Sequence, residues 1–156
     1  MFRFGILVAV AVLLLDQLTK WVILEHVMDP PRVVEVTGFF NLVLVGNRGV
    51  SFGMFSSDSA WSQPLLAGFA LCVAVGLAVW LRRERSRFVA LALGLVIGGA
   101  IGNAIDRFAH GAVVDFLDVH ALGWHWPAFN VADSGISVGV VLIVLDGLFA
   151  AGSKTK

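Results

Sequence analysis

Two aspartates lie in surroundings that differ from those of an ordinary surface carboxylate. Asp115 lies inside the apolar run Gly111-Ala112-Val113-Val114-Asp115-Phe116-Leu117, and β-rich apolar sequence usually excludes Asp. Asp133 ends the segment Phe129-Asn130-Val131-Ala132-Asp133, directly before the last long apolar stretch of the chain. A helix N-cap is an alternative role for Asp133, because Asp is a common capping residue. Asp115 has no comparably simple structural role.

Two carboxyl groups held about 3 Å apart do not both ionise easily, and they tend to share one proton. Such a pair titrates as a unit. One carboxylate then accepts a proton from water, while its protonated partner hydrogen-bonds to the substrate and later protonates it. This is the chemistry of aspartic proteases, and it needs no metal and no nucleophilic serine or cysteine. It requires a fold that brings Asp115 and Asp133 together.

Other polar residues lie within or beside apolar stretches, where they are costly and therefore functional candidates. Asp16 and Lys20 are four residues apart and share a helix face, so they can form an ion pair that is structural, part of a site, or both. Asn103, Asp106 and Arg107 share one side of a helix end. Arg107 can pair with a carboxylate, donate to backbone carbonyls, or only reach out to the membrane interface.

The composition indicates a membrane protein. Of 156 residues, 58% are hydrophobic and 14% are charged, whereas about 25% of the residues in an ordinary soluble domain are charged. This balance argues against disorder, nucleic-acid binding and an ordinary cytosolic fold. The single cysteine, Cys72, excludes an internal disulfide and any site that needs several cysteines.

A helix needs roughly 20 apolar residues to cross the hydrocarbon core of a bilayer. The predicted spans are residues 4–24, 64–81, 88–105 and 134–151. We expect a single membrane-embedded domain over residues 1–156, with two longer outer segments at 25–63 and 106–133. A secretory signal peptide is the less favoured interpretation of the first span, because no small-residue cleavage site follows it.

Basic residues gather at one end of this four-span arrangement. They are Arg3, Arg82, Arg83, Arg85, Arg87, Lys154 and Lys156. Because positive charge marks the cytoplasmic side, both termini are predicted to lie in the cytoplasm. The stripe of Gly94, Gly98 and Gly102 predicts close packing of a neighbouring helix on the third span.

The outer segments carry their own signals. Alternation in Val34-Glu35-Val36-Thr37, followed by a β-rich run at 39–45, predicts a small antiparallel sheet. Ser57-Asp58-Ser59 predicts the cap of a short helix before Pro64. Trp124 and Trp126 are expected to anchor the second outer segment at the lipid headgroups.

Several alternatives compete with dyad chemistry. A metal site is one, although its candidate ligands match no zinc pattern; they are His110, His120, His125, Asp115 and Asp118. Nucleophilic catalysis is disfavoured, because Cys72 lies in mid-span and Ser51 and Ser137 have no histidine at a suggestive spacing. A small proton- or ion-coupled transporter is another, with Asp16, Lys20, Asp106, Arg107 and Asp146 along its path. The last is a non-enzymatic membrane anchor that presents the outer sheet to a partner.

Five segments, taken together and in order, resemble the bacterial lipoprotein signal peptidases, a family also called signal peptidase II. They are Asp16-Gln17-Leu18-Thr19-Lys20 and residues 47–53, 98–107, 111–116 and 129–134. Any one of these motifs is weak, but five in register around four spans are specific. One departure is that Val50-Ser51 stands where the family's loop often has two alanines before its phenylalanine.

The resemblance implies an integral membrane all-α bundle of four transmembrane helices with a small periplasmic β-cradle and a short amphipathic helix. It implies that Asp115 and Asp133 are the catalytic dyad of an aspartic endopeptidase. Substrate-binding or supporting roles are implied for the other matching residues. These are Asp16, Lys20, Asn47, Gly49, Asn103, Asp106, Arg107, Asn130 and Ala132.

The implied substrate is a prolipoprotein, cleaved on the amino side of a diacylglyceryl-modified cysteine. The other expected partners are membrane lipid and globomycin-type inhibitors, which would occupy the same cleft, and no nucleic acid. The implied location is the bacterial plasma (inner) membrane, with the active site near the periplasmic face. We expect a monomer that uses no cofactor and no metal.

Overall fold

The computed structural model describes residues 1–49 and 61–153. Its helices are α1 (Phe2–Val22), α2 (Ser62–Arg83), α3 (Arg87–His110) and α4 (Val131–Ser153). A π-helix, Ile23–Val27, continues α1. Within the described ranges, four helices are long and apolar enough to cross a membrane. The predicted four-span bundle is therefore confirmed.

The helices extend beyond the apolar stretches from which their spans were predicted. α3 continues to His110, so Asp106 and Arg107 lie on the helix and not in the outer segment. α4 begins at Val131 and not at residue 134, because the Asn130 side chain caps its first turn. Polar side chains that have partners prolong a helix past its apolar stretch, and hydropathy alone does not detect this.

α3 is the central helix of the bundle. In an apolar stretch of 18 residues, α3 is 72% buried, whereas the corresponding stretches of the other three helices are 22% buried or less. α1, α2 and α4 all pack against α3. A Cβ at Gly98 would collide with the carbonyl oxygen of Ala9 on α1, and one at Gly99 with the carbonyl oxygen of Ala132 on α4. The small residues of α3 therefore serve helix packing within this chain.

The predicted antiparallel sheet is confirmed, and the second outer segment completes it. Strands β1 (Val34–Thr37), β2 (Phe40–Asn47), β3 (Val113–Ala121) and β4 (Trp124–His125) lie side by side in that order. Each neighbouring pair is antiparallel, and Val45 of β2 lies opposite Asp115 of β3.

The sheet rests on the π-helix that continues α1. Phe116 of β3 packs against Ile23 and Met28 in a buried apolar cluster. This contact places β3 directly beside the polar ends of α1 and α3. The predicted short helix near Ser57-Asp58-Ser59 and the loop residues Val50 and Ser51 lie outside the described residues.

Candidate active site

A buried ionic cluster lies between α1 and α3. Lys20 Nζ lies 2.8 Å from Asp16 Oδ2 and 2.7 Å from Asp106 Oδ2, and all three residues are buried. The predicted pairing of Asp16 with Lys20 is confirmed, and Asp106 is a third member. Lys20 also donates to Asn103 Oδ1 at 3.3 Å. An unpaired buried charge is strongly destabilising, so the loss of any one of these three charged residues would destabilise the fold.

This cluster holds the backbone just before each candidate catalytic aspartate. Asp106 Oδ2 accepts a hydrogen bond from the Val114 N–H at 3.0 Å. Asp16 Oδ1 accepts one from the Ala132 N–H at 2.9 Å. Each donor lies one residue before a candidate catalytic aspartate. The ion pair, whose role the sequence left open, therefore has a structural role: it joins α1 and α3 to β3 and to the first turn of α4.

Gln17 also contributes to the cluster, although it was not among the predicted site residues. Its Nε2 donates to Asp106 Oδ1 at 3.0 Å and to Asp16 Oδ2 at 3.2 Å. Its signal in the sequence was an amide next to Asp16 inside the first predicted span, where a polar side chain needs a partner.

Asp115 is 1% exposed on β3, and both of its carboxylate oxygens accept hydrogen bonds. Asn130 Nδ2 donates to Oδ1 at 2.7 Å, and Asn47 Nδ2 donates to Oδ2 at 3.0 Å. Burial and the nearby charge of Asp133 raise the pKa of Asp115 to about 7, against the lowering effect of the two amides. Near neutral pH this carboxyl group is therefore close to half protonated.

Asp133 lies in the first turn of α4 and forms a reciprocal capping box with Asn130. The Asp133 N–H donates to Asn130 Oδ1 at 2.9 Å, and the Asn130 N–H donates to Asp133 Oδ2 at 3.3 Å. The interpretation of Asp133 as the N-cap is wrong, because Asn130 occupies that position. Asn103 Nδ2 donates to the other carboxylate oxygen of Asp133 at 2.8 Å.

Asn130 links the two aspartates. It donates from its side chain to Asp115 and from its backbone to Asp133. Its Nδ2 also lies 3.2 Å from the Val114 carbonyl oxygen and 3.3 Å from Asn103 Oδ1. The fold thus brings two carboxylates from distant parts of the chain within hydrogen-bonding distance of one buried asparagine.

Arg107 donates hydrogen bonds to two backbone carbonyl oxygens near the aspartate pair. Its Nη1 donates to the Asn103 carbonyl oxygen at 3.2 Å and its Nη2 to the Gly49 carbonyl oxygen at 3.3 Å. Of the three roles predicted for Arg107, the structure therefore shows the hydrogen bonds to backbone carbonyl oxygens. The Gly49 N–H in turn donates to Asn47 Oδ1 at 3.0 Å, which orients the Asn47 amide toward Asp115.

A cavity of about 880 Å³ lies between α2 and α4, with α3 at its base. Its polar end is formed by Asn47, Gly49, Asn103, Arg107 and Asp133. The remaining lining is mostly apolar, including Phe69 of α2 and Val138 of α4. Phe69 is 70% exposed, so this wall of the cavity reaches the outer surface of the bundle. An apolar cavity with a few convergent polar groups is the usual form of a binding site.

The residues of the alternative metal site lie mainly at the far end of β3 and on β4. His125 Nδ1 lies 2.8 Å from Asp118 Oδ1, and its ring stacks on that of His120 with centroids 4.7 Å apart. Within residues 1–49 and 61–153, no group of three or more His, Cys, Asp or Glu side chains is arranged to hold a metal ion.

Comparison with known proteins identifies the family. The family model described as signal peptidase (SPase) II matches residues 8–149. The chain belongs to the signal peptidase II family. A lipoprotein signal peptidase from Methylobacterium radiotolerans is 45% identical over 158 residues, covering 99% of this chain and 91% of that protein. A lipoprotein signal peptidase from Rhodopseudomonas palustris (strain TIE-1) is 45% identical over 154 residues, covering 96% and 94%.

Solved structures agree in fold. A bacterial membrane enzyme determined by the in meso method at 2.3 Å resolution has a TM-score of 0.82 and 33% identity, covering 97% of this chain and 91% of that chain. Membership of the signal peptidase II family makes the chain a multi-pass membrane peptidase, and the resemblance seen in the sequence is confirmed.

Proposed function

We propose that the chain is an aspartic endopeptidase that removes the signal peptide from prolipoproteins. Cleavage falls on the amino side of a diacylglyceryl-modified cysteine. The observation that carries the proposal is the pair of Asp115 and Asp133, joined through Asn130, with Asp133 at the polar end of a cavity between membrane-length helices. The relatives' name, lipoprotein signal peptidase, supports the substrate class.

In the proposed reaction, Asp133 is the ionised partner and Asp115 carries the shared proton. The pKa of Asp115, raised to about 7, supports this assignment, and Asp133 borders the cavity where water and substrate would enter. Asp133 accepts a proton as water attacks the scissile carbonyl, while Asp115 hydrogen-bonds to the carbonyl oxygen. The C–N bond then breaks as Asp133 passes the proton that it took from water to the leaving amine, which returns Asp133 to its ionised form.

The other residues of the site are assigned to positioning and substrate binding. The ionic cluster sets the backbone before each aspartate, and three asparagines orient the carboxylates. Arg107 binds the Gly49 carbonyl oxygen, and the Gly49 N–H orients Asn47 at the end of β2. The complete supporting set is Asp16, Lys20, Asn47, Gly49, Asn103, Asp106, Arg107, Asn130 and Ala132.

The apolar part of the cavity suits a substrate that carries acyl chains. Its walls include Phe69 and Val138, both exposed on the outside of the bundle, so the chains of a bound substrate can remain among lipids. Extraction of two acyl chains into water would be prohibitive, since burial of each CH₂ contributes about 0.8 kcal/mol. We expect globomycin-type inhibitors to occupy the same cavity.

We propose that the protein is a monomer in the bacterial plasma (inner) membrane. Both termini lie in the cytoplasm, because Arg3, Arg82 and Arg83 lie at the end of the bundle opposite the sheet. The sheet and the aspartate pair then lie near the periplasmic face.

The test uses purified protein and a lipid-modified precursor peptide. Asp115→Asn and Asp133→Asn are each expected to abolish cleavage and to leave the circular dichroism spectrum unchanged. Asp146→Asn is the matched control, because this aspartate lies near the other end of α4 and is expected to keep full activity. Cleavage retained by either dyad variant would overturn the proposal.

A further inference from the structure

The hairpin between β3 and β4 ends in a turn whose residues are unusual for a protein surface in water. Leu122 and Gly123 form its two-residue loop, with φ values of 51° and 81°. Hairpin turns with positive φ at both central positions favour Asn, Asp or Gly, and a bulky residue there is strained. Leu122 is also completely exposed, at 107%. Exposure and strain are both unfavourable for a leucine in water.

Aromatic side chains flank this leucine. Trp124 and Trp126 are 61% and 50% exposed, and their rings meet edge to face with centroids 5.7 Å apart. Residues 119–130 contain no Asp, Glu, Lys or Arg. Exposed tryptophans without neighbouring charges are typical of the membrane–water interface.

The position of the hairpin agrees with this chemistry. Trp126 lines the same cavity as Phe69 of α2 and Val138 of α4, two residues on membrane-length helices. Trp124 packs on Trp126, so the tip begins beside the opening of that cavity. The hairpin therefore lies beside a cavity whose walls belong to membrane-length helices.

The hairpin is also held firmly in this orientation. His125 Nδ1 lies 2.8 Å from Asp118 Oδ1, and Asn41 Nδ2 donates to Asp118 Oδ2 at 2.9 Å. The Trp126 N–H donates to the Val119 carbonyl oxygen at 2.8 Å. These bonds fix β4 against β3, so the exposed side chains are presented outward by a rigid support.

We propose that the tip formed by Leu122, Trp124 and Trp126 inserts into the phospholipid interface. This goes beyond peptidase chemistry: the tip attaches the sheet to the bilayer independently of the four helices and sets the depth of the cavity opening. Because residues 119–130 contain no Asp, Glu, Lys or Arg, insertion depends on apolar burial and not on anionic headgroups. Burial of the Leu122 side chain in lipid would offset the backbone strain at this position.

The direct test is a fluorophore placed at the tip. In a Cys72→Ala background, Leu122→Cys is labelled with an environment-sensitive dye and reconstituted in phosphatidylcholine vesicles that contain acyl-brominated lipid. Glu35→Cys, on the exposed strand β1, is the matched control. We expect a blue-shifted emission at position 122 and quenching by brominated lipid roughly twofold or more above that at position 35. Equal quenching at the two positions would overturn the proposal, as would a blue shift without quenching, which indicates contact with protein.

A second variant separates insertion from folding. Leu122→Asn introduces a residue that accepts positive φ, so the melting temperature is expected to stay the same or rise. The measurement uses a background in which the other three tryptophans are replaced: Trp21→Phe, Trp61→Phe and Trp80→Phe. In that background, quenching of tryptophan fluorescence by brominated lipid is expected to decrease, because Trp124 and Trp126 withdraw with the tip. Unchanged quenching in this variant would contradict insertion. Neither readout requires cleavage, so the outcome is independent of the proposed peptidase reaction.

Discussion

Asn130 offers a way to separate the positioning of the aspartates from the folding of α4. Its Nδ2 donates to Asp115 Oδ1 at 2.7 Å, and its Oδ1 caps α4 by accepting from the Asp133 N–H at 2.9 Å. Serine caps helices about as well as asparagine, but it has no amide that could hold Asp115. Asn130→Ser is therefore expected to keep the helix cap and to lose the hydrogen bond to Asp115.

The expected magnitude follows from the bond that is lost. As Asp115 passes its proton toward the substrate oxygen, its carboxyl group becomes charged in the transition state. A hydrogen bond to a charged group contributes about 1.5–3 kcal/mol, so the loss of the Asn130 amide lowers kcat/KM by roughly 10- to 150-fold. The free energy of unfolding is expected to fall by about 1–2 kcal/mol, because the buried acceptors around Asn130 lose one donor. A loss of stability of this size leaves most molecules folded, so it does not explain the expected fall in kcat/KM.

The same substitution also moves the pH profile in a defined direction. The Asn130 amide stabilises the ionised carboxylate and so lowers the pKa of Asp115. Without that amide, the pKa of Asp115 rises above about 7. The alkaline limb of kcat/KM is therefore expected to shift to higher pH in Asn130→Ser.

The assay measures cleavage of a fluorescent lipid-modified precursor in detergent micelles across a pH series, together with thermal unfolding. Asn41→Ser is the matched control, because it removes a comparable buried bond, from Asn41 Nδ2 to Asp118 Oδ2 at 2.9 Å, outside the site. The reasoning is refuted if Asn130→Ser stays within about threefold of the parent, or if the control loses as much activity.

Further predictions concern the proton, the ionic cluster and the packing of α3. Because the pKa of Asp115 is about 7 and the dyad needs one proton, kcat/KM should fall as pH rises above this value, and a profile flat to about pH 9 would contradict this. Lys20→Met leaves two buried carboxylates without their cation, so thermal denaturation in detergent should show a loss of about 3–5 kcal/mol. In Gly102→Ala the new Cβ would lie 2.6 Å from Asp16 Oδ2, which should cost about 1–3 kcal/mol. Gly76→Ala, with open space around its Cβ, should instead stabilise α2 by about 0.5–1 kcal/mol in the same denaturation assay. Cleavage is expected to survive EDTA, and loss of activity in the chelator would indicate a metal-dependent reaction.

The sequence predicted the elements of the fold well because membrane insertion depends on local composition. An apolar stretch of spanning length has to form a helix, since lipid offers no partners to its backbone. The helix ends were less predictable. Asn130 caps α4 ahead of its apolar stretch, and α3 continues through Asp106 because that carboxylate has partners on α1 and β3.

The candidate site was predicted as a set of residues but not as an arrangement. Asp115 was conspicuous because a carboxylate is rare in apolar β sequence. Gln17 was passed over because its partners, Asp16 Oδ2 and Asp106 Oδ1, become visible only when α1 lies against α3. The alternative role of Asp133 as the N-cap of α4 was wrong for a similar reason: Asn and Asp are comparable caps, and only the geometry distinguishes them.

What the sequence determined by itself is the number of spans, their apolar faces and the presence of polar groups that lipid would not tolerate alone. These are properties of composition and spacing along the chain. What only the tertiary structure decided is that Asp16 and Asp106 hold the backbone beside the two aspartates, and that burial raises the pKa of Asp115 to about 7. Desolvation and hydrogen-bond partners depend on groups that are distant in the chain, so they exist only once the helices and the sheet have packed.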